Sequence, residues 1–362
     1  MKSSERQTWI DYARGIAIVL VLYRHVFEGI KHSGIAINEY IGIEHANILF
    51  FSFRMPLFFI ISGMFVMASL AKRGLPSFIE TKGRTILYPY FVWGILQISI
   101  QLILRDYVNA DRTPFSYLNL LYSPRLVDQF WYLYALFNVT VLYAIVSHTL
   151  KPNKIIQLLI GCVMFGLSVY VYQEKINLYF LGDILHYYIF LAVGDWIGSF
   201  VTNKKNIGKL SSFTWLALIL VPFAASQYYY LFANIPHAAM NYDYVEYYEP
   251  MRFIIIALIG AFFIIVLSFT LQRLNKLKWL HILGSHSLYI YVSHVMVLAA
   301  TRIFMTRVLQ ISNVPVLLLT GIILGLVVPV LIYKIAIKLN MGWLFSLEAQ
   351  KKVQHSKLAQ HP

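Results

Sequence analysis

Ten long apolar runs constrain this chain more than any other feature of its sequence. They centre on residues 10–29, 48–70, 86–104, 130–149, 155–172, 179–200, 213–232, 252–271, 280–303 and 314–338. Each has roughly the twenty mostly apolar residues that an α-helix needs to cross about 30 Å of hydrocarbon. Lipid offers nothing to hydrogen-bond a bare backbone, so runs of this kind span as helices. With 59% hydrophobic and 13% charged residues, the sequence predicts an all-α, polytopic integral membrane bundle of about ten transmembrane helices. It shows no internal repeat, low-complexity segment or long linker, so residues 1–345 are expected to form a single membrane domain followed by a short polar cytoplasmic tail over 346–362.

A net charge of +14 would suit a nucleic-acid partner were it concentrated on one soluble face. Instead, with a cytoplasmic N-terminus, most of the 30 Lys and Arg residues fall in the inner segments. Lys72, Arg73, Lys82, Arg84 and the lysines from Lys334 onward are among them. The positive-inside rule then puts both termini in the cytoplasm, makes the lipid bilayer the partner and leaves no nucleic acid to invoke. No cleavable signal pattern precedes the first run, which is expected to do the targeting itself. The single cysteine, Cys162, excludes an intrachain disulfide. His-Glu-x-x-His, Gly-rich phosphate-loop and Gly-x-Ser-x-Gly patterns are all absent, so no metal is expected and zinc or serine hydrolysis is disfavoured.

Against this apolar background the ionisable residues of the first run, "DYARGIAIVLVLYRHVFEGI", stand out. At about 100° per residue, eleven steps from Arg14 to His25 return within about 20° of the same direction, about 16 Å along the axis. Arg14 and His25 therefore share a face, with Asp11 about 60° from Arg14 and Arg24 pointing well away. Charges facing lipid cost several kcal/mol, so such a stripe is expected to face a protein interior or a cavity. The second run opens with "FRMPLFFIISGMF", where Arg54 precedes a proline at which a helix starts or kinks, and Ser62 and Gly63 allow close helix approach. A third polar seam, "LGSHSLYIYVSHVMVLAATR", puts Ser287, Tyr291 and His294 on one helix face, and Arg302 returns close to Tyr291. Two loops on the outer side are also rich in function-bearing residues: 105–128, and 227–250 with its dense tyrosines beside Asp243, Glu246 and Glu249.

"ARGIAIVLVLYRHV", "FRMPLFFIISG", "YPYFVWGIL", "FWYLYALF" and "SLYIYVSHV", in this order, resemble the acyltransferase type 3 family of integral membrane O-acyltransferases. Within it they look closest to the branch of fucose 4-O-acetylases and bacterial surface-polysaccharide O-acetyltransferases. The resemblance implies about ten spans in a bacterial cytoplasmic (inner) membrane. It also implies an acetyl group moved from cytoplasmic acetyl-CoA, as co-substrate, to a hydroxyl of a cell-surface or lipid-linked carbohydrate. It places Arg14 and His25 at the family's Arg and His pair, Arg54 at the basic position before Pro-Leu-Phe-Phe, and Trp131, Ser287, Tyr291 and His294 at later landmarks. One departure is "KGRTILYP", sparser in arginine than related sequences. Lys82 and Arg84 are its only basic groups.

O-acyl transfer needs an activated hydroxyl, a polarised thioester and a stabilised oxyanion. His25 suits the general base, or a transient acyl carrier. Arg14 and Arg54 suit contacts to CoA, the thioester or the oxyanion. Trp131, Ser287, Tyr291, His294 and Arg302 are candidates for binding substrate, and Lys72, Arg73, Lys82 and Arg84 for binding the CoA phosphates. Tyr side chains of loop 227–250 could stack on sugar rings. The competing reading is a transporter or flippase of a glycan precursor, which would use the same intramembrane ionisable residues.

Overall fold

The computed structural model describes residues 8–240 and 242–347, so most of the expected polar tail lies outside the described residues. Sixteen α-helices run α1 Trp9–Lys31, α2 Ile41–Leu49, α3 Phe51–Arg73, α4 Leu75–Lys82, α5 Tyr88–Ile103, α6 Asn119–Tyr122, α7 Trp131–Thr149 and α8 Lys154–Gln173, followed by α9 Phe180–Val201, α10 Lys204–Leu210, α11 Phe213–Asn234, α12 Tyr244–Tyr248, α13 Pro250–Leu274, α14 Lys278–Ser285, α15 Ser287–Ile303 and α16 Val314–Lys338. There is no strand among the described residues. The helix starts are written locally: the side chains of Asn153, Ser212 and Asn313 cap α8, α11 and α16, and Pro250 opens α13 without wasting a donor.

Among the described residues nine helical stretches are long and apolar enough to cross a membrane. The expected tenth, α1, is long enough, but its ionisable residues leave it short of that apolarity. Its position explains how it can carry them. It packs against α3, α13, α14, α15 and α16, and none of its residues from Trp9 to Ile30 is exposed. The lipid-facing work falls to outer helices: Leu319, Ile323, Val327 and Leu331, four apart along α16, make one exposed apolar face.

Two crossings bring backbones into direct contact. A Cβ on Gly63 of α3 would collide with the Leu191 carbonyl of α9, and one on Gly194 of α9 with the Ile60 carbonyl. At the second crossing a Cβ on Gly15 of α1 would strike the Leu280 carbonyl of α14, and one on Gly284 the Asp11 carbonyl. Small residues at such points are how membrane helices approach closely.

The continuous ninth span expected over 280–303 is instead two helices, α14 and α15, separated at His286. Small polar residues explain the break: the hydroxyl of Ser285 donates to the Ile282 carbonyl at 2.8 Å, a local bond that competes with the helical ladder. The short α14 packs on the first half of α1, where His281 Nε2 lies 3.2 Å from Asp11 Oδ2. Between α4 and α5, the segment Gly83–Leu87 widens into a π-turn and carries Arg84.

Candidate active site

Two cavities meet at His25. One, of about 370 Å³, is polar and reaches from α1 and α3 across to Trp131, Tyr187 and the loop around α12. The other, of about 540 Å³, runs between α1, α5, α15 and α16 and is mainly apolar. His25, Glu28 and Asp128 line both.

His294 stands beside His25, with ring centroids 5.1 Å apart and planes inclined by 55°. Its Nδ1 lies 2.8 Å from the Tyr291 carbonyl and 3.1 Å from that of Ile290. Both are acceptors only, so the proton belongs on Nδ1 and Nε2 keeps a lone pair. That Nε2 is buried and has no hydrogen-bond partner.

Asp128 is fixed with unusual firmness. Its φ of +50° is left-handed, a conformation uncommon outside glycine and often retained where function requires it. Oδ2 accepts from Gln97 Nε2 at 2.8 Å, Gln101 Nε2 at 3.0 Å and an Arg112 terminal nitrogen at 2.8 Å. The carboxylate is therefore held at the junction of the cavities by donors from α5 and the following loop.

Arginines and acids alternate around the polar cavity. Arg54, in the first turn of α3, donates to the Leu20 carbonyl at 3.0 Å and to Asn47 Oδ1 at 3.4 Å. Pro56 next to it cannot donate to the Ser52 carbonyl, which loosens the start of α3. Arg24 pairs with Glu28 at 2.8 Å and lies over the Phe51 ring. Arg125 pairs with the buried Asp183 at 2.6 Å while its guanidinium sits 4.4 Å from the centre of the Trp131 ring. His186 bridges Glu246, at 3.1 Å, and the Ser168 hydroxyl, at 3.2 Å. Burial, and then the neighbouring Glu246 carboxylate, push the carboxyl of Asp243 up to about 8.

The expected site residues divide into three groups. His25, Arg54, Trp131 and Tyr291 line the polar cavity, the Tyr291 hydroxyl donating to the Gln129 carbonyl. His294 backs His25, and Arg302 lines the apolar cavity while donating to the Gly29 carbonyl at 3.1 Å. Arg14 and Ser287 line neither cavity. Arg14 lies instead toward the opposite end of α1, where it and Arg73 are close enough to Lys82 to repel its ammonium. Lys72 is exposed beside Arg73, and Arg84 pairs with Glu80 at 2.5 Å.

Two expectations need correcting. Arg24, placed away from His25 by helical angle, lines the same cavity because that cavity wraps around the end of α1. The tyrosines of loop 227–250 are largely committed to their own protein: Tyr244 stacks on His237 at 3.7 Å, Tyr247 on Tyr172 at 3.6 Å, and the Tyr242 hydroxyl donates to Glu44 at 2.6 Å. Only Tyr247 of these also reaches the cavity. Sequence reasoning noted Glu28, Arg125 and Asp128 as ionisable residues without assigning them to the site, and missed the pairing of Arg125 with Asp183 and of Glu246 with His186. Their one visible sign is ionisable residues at the ends of apolar runs.

The family profile described as an acyltransferase domain matches residues 7–334. No curated protein and no solved structure matches the chain. The matched segment takes in the residues lining both cavities and the basic cluster of Arg14, Arg73 and Lys82. The chain is a multi-pass membrane acyltransferase and belongs to the acyltransferase type 3 family.

Proposed function

We propose that the protein moves an acetyl group from cytoplasmic acetyl-CoA to a hydroxyl of a cell-surface or lipid-linked carbohydrate, in a bacterial inner membrane, with His25 as the reactive base. The observation that carries this reading is the pairing of His25 with His294 where two cavities meet. In this reading His25 donates one N–H to the otherwise unpartnered His294 Nε2. The other His25 nitrogen then faces the cavity with its own lone pair free to take a proton.

In the transfer step the acceptor oxygen bonds to the thioester carbon as its proton passes to His25. The carbonyl π-electrons move onto oxygen, near the guanidinium of Arg54 or Arg24. Collapse breaks the C–S bond, and the CoA thiolate leaves with the proton returned by His25. In the two-step variant a His25 nitrogen attacks first, the C–S bond breaks and CoA leaves as its thiol, and the sugar oxygen later displaces the imidazole from the acyl carbon. Trp131 and Tyr187 offer apolar faces to a sugar ring, and Asp128, Asp243 and Glu246 offer acceptors for its hydroxyls. At the other end of α1, Arg14, Arg73 and Lys82 suit the CoA phosphates, with Lys72 and Arg84 at the margin. About 16 Å of α1 separates Arg14 from His25, a gap for the pantetheine arm to bridge.

Purified protein in nanodiscs, given radiolabelled acetyl-CoA and glycans extracted from native cells, tests the reading. Wild type should label the glycan, and His25→Ala should abolish labelling while remaining folded. A pulse without glycan distinguishes an acyl-histidine from direct transfer. Full activity in His25→Ala, or no consumption of acetyl-CoA by folded wild type with a suitable glycan, would sink it.

A further inference from the structure

The apolar cavity beside His25 has no part in the reaction as described so far. Ile100 of α5 and Leu104 just after it, Met296, Leu298 and Ala299 of α15, and Leu317 of α16 form its walls. At about 540 Å³ it falls in the range of pockets that enclose whole small-molecule ligands, far more room than the methyl of an acetyl group fills. One end opens on the same His25 that lines the polar cavity.

Resting on the acyltransferase reading, we propose that this groove holds the hydrocarbon tail of the acyl group being transferred, so that the enzyme accepts acyl-CoA donors longer than acetyl. With the thioester carbon at His25 and the sugar in the polar cavity, a chain attached to that carbon has an apolar path of its own. An acyl chain bonded to the thioester carbon at His25 enters the groove directly, whereas a lipid-linked acceptor, with its sugar in the polar cavity, would have to thread its charged phosphate past the reacting centre into a mainly apolar groove. Each methylene buried in the groove should improve donor capture by up to about fourfold, the equivalent of its transfer out of water.

The experiment compares kcat/KM for acetyl-, butyryl-, hexanoyl- and octanoyl-CoA with one soluble oligosaccharide acceptor. Two groove variants accompany wild type. Ala299→Phe fills the wall on α15. Gly29→Leu enters from α1, where an added Cβ meets nothing within 4 Å, so it serves if the first variant does not fold. Wild type should hold or raise its efficiency beyond acetyl, and either variant should lower the hexanoyl-to-acetyl ratio at least tenfold. A wild-type profile that falls away immediately after acetyl overturns the proposal while leaving the acyltransferase reading standing. So does a ratio that both folded variants leave untouched. If the variants weaken a lipid-linked acceptor equally for every donor but spare the soluble one, the groove belongs to the acceptor's lipid and the proposal fails. Failure to use any acyl-CoA, acetyl included, fails the reading on which it rests.

Discussion

In the proposed reaction the chemistry concentrates on His25, and the residues around it divide into those that would react and those that hold it. Replacing His25 by Ala should cost about 10²- to 10⁴-fold in transfer rate, the usual weight of a general base, and more if it carries the acyl group. In that reaction His294 would act through His25, so its loss should look different. His294→Gln should lower kcat with little change in the KM for acetyl-CoA, and should alter the limb of the pH–rate profile that reports His25. A uniform loss of rate with an unchanged profile would mean that His294 only packs. Asp243 gives a second pH dependence. Its carboxyl holds a proton in the folded protein up to about 8, whereas an unfolded aspartate releases it near about 4. Between those values the folded state binds more protons, so stability falls as pH rises through the window. The melting temperature in detergent should therefore drop from pH 5 to pH 8, and Asp243→Asn should flatten that slope. Helical periodicity alone was enough to put Arg14 and His25 on one face. Asp128, Arg125 and Glu246 stood out only as ionisable residues of the two outer loops, and what they pair with was not legible, because the partners lie in segments remote in sequence and no local pattern records them.

At the scale of elements, the apolar runs located the long helices, because spanning a bilayer leaves so few solutions, but not the short ones between them. What they did not reveal was the break between α14 and α15, where the sequence stays apolar enough to pass for one span while Ser285 bonds back to its own helix. The glycines were visible, but not which of them touch. That distinction yields a sharp contrast. Gly15→Ala puts a methyl against the Leu280 carbonyl and Gly63→Ala puts one against the Leu191 carbonyl. Both contacts are with backbone, which cannot rotate away, so each variant should lose at least about 1–3 kcal/mol. Gly166→Ala in α8 meets nothing within 4 Å and should be neutral or stabilising by up to about 1 kcal/mol from helix propensity. Thermal unfolding of the three in one detergent measures the difference, and equal losses would mean that the crossings are not as close as described. Because α14 carries His281 to Asp11, the Gly15 variant should also disturb the end of α1 that bears Arg14.

For the molecule as a whole, the arrangement of α1 carries the main consequence. A helix with five ionisable residues between Asp11 and Glu28 is stable in the bundle because other helices cover its whole length. It thereby connects a basic cluster at one end to two cavities at the other, with no need for a charge to face lipid. If α1 is the route between a cytoplasmic donor and an acceptor on the far side, the two ends should affect different substrates. Lys82→Ala removes a cation that stands near Arg14 and Arg73. It should raise the KM for acetyl-CoA several-fold, more steeply at low salt, since its role is electrostatic. The KM for glycan should stay as it was. Trp131→Ala at the opposite end should do the reverse, raising the KM for glycan and sparing that for acetyl-CoA. Steady-state kinetics with each substrate varied in turn separates the two. Should Lys82→Ala weaken glycan and donor alike, the donor does not enter past the basic cluster, and both substrates must reach His25 from the same side.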